Sequence, residues 1–118
     1  MFNIVQKNKL TVLIFHKVPH VSNPLTPLET PLGTFKNVLH FITEQFRVIP
    51  LSDAVTALKA GNLPHRAACI TFDDGYPDWV TGIAPLLESE GLPATFFITT
   101  GQLNGQAMWN ERILHAVM

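Results

Sequence analysis

Charge, cysteine and long apolar runs are all scarce in this sequence. Its 118 residues include 8 Lys or Arg and 9 Asp or Glu, which leaves a formal net charge of -1. That balance offers no basic surface to hold a phosphate backbone, so we expect no nucleic-acid partner. The single cysteine, Cys69, excludes an internal disulfide framework and fits a reducing compartment.

No segment has the pattern of a targeting signal or of a membrane span. The apolar run Leu10–Phe15 is shorter than a signal-peptide core of roughly 7–15 apolar residues, and no small-residue cleavage site follows it. No stretch approaches the roughly 20 apolar residues that cross a bilayer. We therefore expect a cytoplasmic protein without a membrane span.

Apolar residues are abundant, at 47% of the chain, and their spacing predicts alternating strands and helices. Short apolar runs predict strands over residues 10–15, 47–50, 67–73 and 94–98. A Pro-rich loop from Pro19 to Pro31 separates the first strand from the first helix. This alternation predicts an α/β fold with parallel strands.

Apolar residues at helical spacing mark the helices. We expect Thr34 to cap the first helix, whose inward face is Phe35, Val38, Leu39, Ile42 and Phe46. Ser52 should cap a second helix, with Val55 and Leu58 inward and Gly61 at its end. A third helix is predicted over residues 78–90, with a kink or restart at Pro85, and a fourth over residues 108–118. The inward face of the third helix is expected to be Trp79, Val80, Ile83, Leu86 and Leu87.

The segment Ile70–Tyr76 holds the residues with the clearest chemical potential. Asp73 and Asp74 follow a buried strand, at the end where parallel α/β folds build active sites. Successive strand residues point to opposite faces, so both carboxylates can serve one site only if the chain turns right after Asp73, and Gly75 permits such a turn. One carboxylate could then bind a metal while the other takes a proton from water.

A purely structural interpretation of this segment is equally open from the chemistry alone. Asp-Gly pairs are common at turns, so Asp73 could cap the turn while Asp74 faces solvent. One Asp-Asp-Gly sequence does not decide between a catalytic site and a turn.

Several segments together resemble the polysaccharide deacetylase family, the NodB-homology enzymes of carbohydrate esterase family four. The similar segments are Thr71–Tyr76, Leu92–Phe97, Leu13–Val18 and Phe46–Ser52, with Phe15 standing where that family usually has Tyr. The resemblance implies the N-terminal part of a distorted (β/α) barrel that hydrolyses N-acetyl groups on amino-sugar polysaccharides. We treat residues 1–118 as part of one such domain, truncated at the C-terminus.

The resemblance also implies roles for particular residues. Asp73 corresponds to the catalytic base, and Asp74 corresponds to a ligand of a divalent metal, usually zinc. The histidines that complete the metal site in the family lie in a later His-x-x-x-His block, which we do not find here. We therefore expect the isolated chain to bind metal weakly and to show no turnover.

Two other residues are candidates for substrate binding. His16 ends the first strand on the expected active-site side, and Tyr76 follows the Asp pair. Each has a structural alternative, since His16 could be a hydrogen-bonded residue at a barrel rim and Tyr76 could simply fill the turn. His20 forms a His-x-x-x-His pair with His16, but Pro19 lies between them, so we expect His20 to be a solvated loop residue.

The main alternative to an enzyme is a catalytically inactive remnant that binds a partner or a glycan. A phosphoryl-transfer enzyme is less favoured, because such enzymes usually separate their two aspartates by one residue. Half of a barrel would also expose strand edges and apolar surface, so self-association is expected.

Overall fold

The computed structural model describes residues 8–117, and the alternation of strands and helices expected from the sequence is confirmed there. The elements are β1 (Thr11–Phe15), α1 (Leu32–Gln45), β2 (Arg47–Val48), α2 (Leu51–Ala60), β3 (Ala67–Asp74), a π-helix (Trp79–Ile83), α3 (Ala84–Ser89), β4 (Thr95–Ile98), a 3-10 turn (Thr100–Gln102) and α4 (Trp109–Val117). None of the helices within this described part has the length and hydropathy that a membrane span requires.

The four strands form one open, parallel sheet around the long central strand β3. β1 lies along one edge of β3, where Leu13 pairs with Ile70. β2 and β4 share the other edge, β2 at the beginning of β3 and β4 at its end. This arrangement confirms the expected α/β class with parallel strands.

The helices cover one face of this sheet and form the hydrophobic core with it. Phe72 is fully buried at its centre, and its ring contacts those of Phe15, Phe96 and Trp79 at centroid distances of 5.5, 5.0 and 5.9 Å. The predicted apolar face of α1 is confirmed, with Phe35, Leu39 and Ile42 buried and Val38 and Phe46 packed against them. The core thus lies directly beneath the end of β3 that carries the Asp pair.

The predicted helix starts are wrong by two to three residues. α1 follows Pro31 and α2 follows Pro50, so neither Thr34 nor Ser52 is the N-cap. Proline is suited to these positions because its fixed φ is compatible with entry into a helix and its missing N–H needs no partner there. Gly61 does end α2 in the left-handed conformation, with φ of 73°, as expected.

Two predictions of inward-facing side chains are also wrong. In α2 the buried residue is Ala54, while Val55 and Leu58 are 39% and 38% exposed. In the third helical segment Val80 is exposed, because Trp79–Ile83 forms a π-helix that changes the residue spacing. The segment becomes α-helical at Ala84, one residue before Pro85, which agrees with the expected restart.

Candidate functional site

The chain turns at the end of β3 through two residues with positive φ. Asp74 has φ of 88° and Gly75 has φ of 78°. The chain therefore leaves the extended conformation at Asp74, directly after Asp73, where the sequence allowed a turn. Glycine adopts such angles without strain, but for a residue with a side chain they cost free energy, a cost that proteins usually accept only at turns or functional sites.

Three of the four predicted site residues line one cleft of about 630 Å³. His16 contributes from the end of β1, and Asp74 and Tyr76 contribute from the turn after β3. They meet because β1 and β3 are parallel neighbours, with Phe15 paired to Phe72, so both strands end at the same edge. The loop before α1 supplies much of the opposite wall of the cleft.

Asp73 lies outside that cleft. It pairs with Phe97 of β4 and shares its sheet face with Thr71 two residues earlier, on the side that the helices leave uncovered. The two carboxylates are partly buried and belong to different surroundings, since Asp74 lines the cleft and Asp73 faces the open side of the sheet. The structure thus brings the Asp pair to one strand end without placing both in one cavity.

The backbone of His16 is held by a hydrogen bond that the sequence did not predict. The indole N–H of Trp79 donates to the carbonyl oxygen of His16 at 2.9 Å. Trp79 is buried and its ring lies 6.2 Å from that of Tyr76, in an edge-on contact. The position of Trp79 on the inner side of its helix is confirmed, and Trp79 contacts both His16 and Tyr76, two residues that line the cleft.

Sequence reasoning missed three polar residues beside Tyr76. Lys17 and Glu111 form an ion pair, with the Lys17 Nζ donating to both carboxylate oxygens at 2.9 and 3.0 Å. Asn110, the residue before Glu111, lines the cleft with Asp74 and Tyr76 and lies close enough to the Tyr76 phenol to affect its pKa. Lys17 follows the His16 that was identified, but Asn110 and Glu111 belong to a distant helix and gave no local signal.

The surroundings of Tyr76 shift its ionisation. Burial raises the pKa of the Tyr76 phenol above its ordinary value, and the negative charges of Asp74 and Glu111 raise it further. The hydrogen bond with Asn110 and the charge of Lys17 oppose this change but do not overcome it. Tyr76 is therefore a neutral hydroxyl at pH 7, able to donate a hydrogen bond in the cleft.

The charge of Lys17 is stabilised in turn. Burial lowers the pKa of Lys17, but the hydrogen bond and charge of Glu111, with the charges of Glu29 and Asp78, outweigh that effect and raise the pKa above its ordinary value. Lys17 is thus a cation that remains paired at this edge of the site.

The described residues do not by themselves fit a complete metal site. Between residues 8 and 117, no three His, Cys, Asp or Glu side chains are grouped closely enough to hold a metal ion. His20 contacts the Thr81 hydroxyl at 3.0 Å, and His40 contacts Glu90 at 3.1 Å, so both are engaged on the surface. His20 is an exposed loop residue, as expected.

Aromatic residues near the site divide between core and surface. The sequence alone favours core packing for both Phe96 and Phe97. Phe96 does stack on Phe72, but Phe97 is 50% exposed, so that expectation is wrong for Phe97. Packing is also the expected role of Trp109, but this residue at the start of α4 is 72% exposed, which contradicts a packing role within the described chain.

Comparisons with solved structures identify the class of fold. The chain superposes on a de-N-acetylase from Aggregatibacter actinomycetemcomitans with a TM-score of 0.71 at 21% identity, over 82% of this chain and 40% of that one. It superposes on IcaB from Ammonifex degensii with a TM-score of 0.72 at 24% identity, over 92% and 48% of the two chains. It superposes on Streptococcus pyogenes deacetylase PplD, in complex with acetate, with a TM-score of 0.71 at 24% identity, over 86% of this chain and 48% of that one.

These likenesses show that the chain has the fold of part of a deacetylase barrel. The family model for polysaccharide deacetylase matches residues 60–115, which include the Asp pair and its turn. The resemblance inferred from the sequence motifs is thereby confirmed over that range. No curated protein matches the chain.

The chain spans 40–48% of the length of the three solved structures compared above.

Proposed function

We propose that this protein takes part in the N-deacetylation of an amino-sugar polysaccharide. The observation that carries the proposal is that His16, Asp74 and Tyr76 line one cleft at the carboxyl end of β3, within or beside the segment that matches polysaccharide deacetylases. That family consists of hydrolases that act on amide bonds. Asp73, at the same strand end, supplies the second carboxylate.

The reaction is the hydrolysis of an N-acetyl group. Water adds to the amide carbonyl, the carbon–nitrogen bond breaks, and acetate and a free amine result. We assign to Asp73 the removal of a proton from the attacking water, since it is a partly buried carboxylate at the same strand end as Asp74 and stands where the family resemblance places the base. The neutral Tyr76 hydroxyl and the exposed His16 ring are suited to hydrogen-bond the polar groups of a sugar.

Deacetylases of this family are generally metal-dependent, and we propose Asp74 as one ligand of a divalent metal, with zinc the first choice. A single carboxylate does not hold zinc in its usual four-coordinate geometry, so the other ligands must come from residues outside 8–117. When bound, the metal would supply a Lewis acid at the cleft.

The metal proposal is tested by the zinc content of the protein expressed from its complete gene. We expect about one zinc per chain, lost in Asp74→Ala and retained in Asp53→Ala, whose carboxylate is exposed on α2. Full zinc content in the Asp74→Ala protein would contradict the assignment.

The catalytic proposal is tested by acetate release from N-acetylglucosamine oligomers by that same protein. We expect Asp73→Asn to lower kcat by a factor of about 10² or more, because removal of a general base typically costs 10²–10⁴-fold. Asp53→Asn is the matched control and should leave the rate unchanged. A wild-type protein that binds the oligomers without releasing acetate would instead favour the alternative, an inactive glycan-binding module.

A further inference from the structure

The helix α4 makes few apolar contacts with the rest of the molecule. None of its described residues is buried, Leu114 is half-buried, and Ile113 and Val117 are 56% and 68% exposed. The ion pair between Lys17 and Glu111 is therefore a prominent link between α4 and the sheet, and it joins residues 94 positions apart. It is well shielded, with the two side chains 17% and 16% exposed.

A second link runs from the same helix to the candidate site. Asn110 precedes Glu111, lines the first cleft together with Tyr76 and lies close enough to the Tyr76 phenol to lower its pKa. The Lys17 ammonium also lies 5.6 Å from the centre of the Tyr76 ring, within the range of a cation–π contact. Lys17 and Asn110 therefore both lie beside Tyr76.

These residues stand where two clefts meet. Lys17 and Tyr76 line both the first cleft and a second one of about 550 Å³. Asn110 forms part of the wall of the first, and Glu111 forms part of the wall of the second. The placement of α4 thus determines the shape of both clefts at their common boundary.

We propose that Lys17 and Glu111 are positioning residues for the candidate site, and that their ion pair holds α4 so that Asn110 keeps the Tyr76 hydroxyl oriented beside Asp74. The inference rests on the proposed function only in its kinetic consequence. The structural part, that the ion pair anchors α4, is independent of any activity.

The molecule provides a matched control in a second lysine–glutamate pair. Lys36 and Glu90 lie 3.9 Å apart, and their side chains are 53% and 24% exposed. Such exposed pairs contribute little, because solvent screens the charges and ordering long side chains costs entropy. The Lys17–Glu111 pair is shorter and better shielded from solvent, so its charges are screened less.

The anchoring is tested by amide hydrogen exchange in the protein expressed from its complete gene. In Lys17→Met we expect the amides of residues 110–117 to exchange at least about fivefold faster, with the amides of β3 unchanged, because local opening of α4 becomes easier. Lys17→Arg retains the charge and should restore slow exchange, and Lys36→Met should have no effect in α4. Equal exchange in Lys17→Met and wild type would overturn the proposal.

Trypsin offers a second measurement of the same opening, since Arg112 lies within α4. Cleavage after Arg112 should become faster in Lys17→Met and in Glu111→Gln, while cleavage after Lys59 at the end of α2 keeps its rate. Unchanged cleavage after Arg112 in both variants would contradict an anchoring role.

The positioning role is tested by kinetics with N-acetylglucosamine oligomers. We expect Lys17→Met to raise KM about five- to tenfold with less than about a twofold change in kcat, because substrate contacts are lost without loss of the proposed base. In an Asn110→Ala background the same substitution should add less than about twofold, since both act through Tyr76. Full additivity would refute the route through Asn110.

A failure of the proposed deacetylase function and a failure of the positioning role give different results. If the wild-type protein releases no acetate, the proposed function fails while the exchange result still decides the anchoring. If acetate is released but Lys17→Met has wild-type KM, the positioning role fails while the deacetylase proposal stands.

Discussion

The two faces of the sheet differ sharply in how much of their apolar surface is buried. On the face covered by helices, Phe72 is completely buried and stacks against Phe96. On the other face, Val12 and Ile14 of β1 are 42% and 59% exposed, and Phe97 of β4 is 50% exposed. Both strands pair directly with β3, which carries Phe72. On the same face as Ile14, Cys69 and Thr71 of β3 are only 1% and 3% exposed, so the exposed apolar surface lies on the flanking strands β1 and β4.

This contrast explains why the Asp pair is divided between two environments. Asp74 lines the cleft beside the covered core, whereas Asp73 extends the open face one residue earlier. Successive strand residues point to opposite faces of the sheet, and the described residues cover only one of these faces with helices.

The largest expected effect of a substitution comes from the covered face. Phe72→Ala should lower the free energy of unfolding by about 3–5 kcal/mol, because it leaves a cavity among packed rings. Urea unfolding followed by circular dichroism measures this loss. Phe97→Ala on the open face is the control, and an equal loss there would show that the two faces do not differ.

An intermediate effect is expected where the core supports the cleft. Trp79→Phe removes the hydrogen bond to the His16 carbonyl oxygen, and leaving a partly buried acceptor without its partner costs about 1–3 kcal/mol. The same unfolding measurement applies. Trp109→Phe, at an exposed tryptophan, should change stability by less than about 0.5 kcal/mol, and a similar loss in both variants would contradict this account.

The smallest effect on stability is expected on the open face. Ile14→Thr should change the free energy of unfolding by less than about 0.5 kcal/mol, since the side chain is already 59% exposed. It should nevertheless reduce self-association of the 118-residue chain, because exposed apolar surface promotes contact between copies.

Sedimentation velocity over a range of concentrations measures that association. Val80→Thr, at an exposed valine away from the sheet, is the matched control. A monomeric wild-type chain would refute the expectation of self-association.

The helix boundaries show where prediction from the sequence reached its limit. The apolar face of α1 was correct because its periodicity extends over three turns and packing requires it. The caps at Thr34 and Ser52 were wrong because prolines a few residues earlier already provide a suitable entry into each helix. Local preferences compete at a boundary, and the stronger backbone constraint decides the outcome.

The residues of the candidate site also fall into those that the sequence identified and those that it did not. His16, Asp74 and Tyr76 could be found because each follows directly from a strand that the sequence marks by composition. Lys17, Asn110 and Glu111 could not be found as a group, since helix α4 is far away along the chain.

The sequence by itself determined the alternation of strands and helices and the presence of two carboxylates at a strand end, because those features depend on spacing within a few residues. Only the tertiary structure decided which carboxylate lines the cleft, which sheet face is buried and which helix contacts Tyr76. These outcomes depend on residues distant in sequence that meet because parallel strands end at one edge of the sheet. Their proximity is a property of the fold, and no local pattern encodes it.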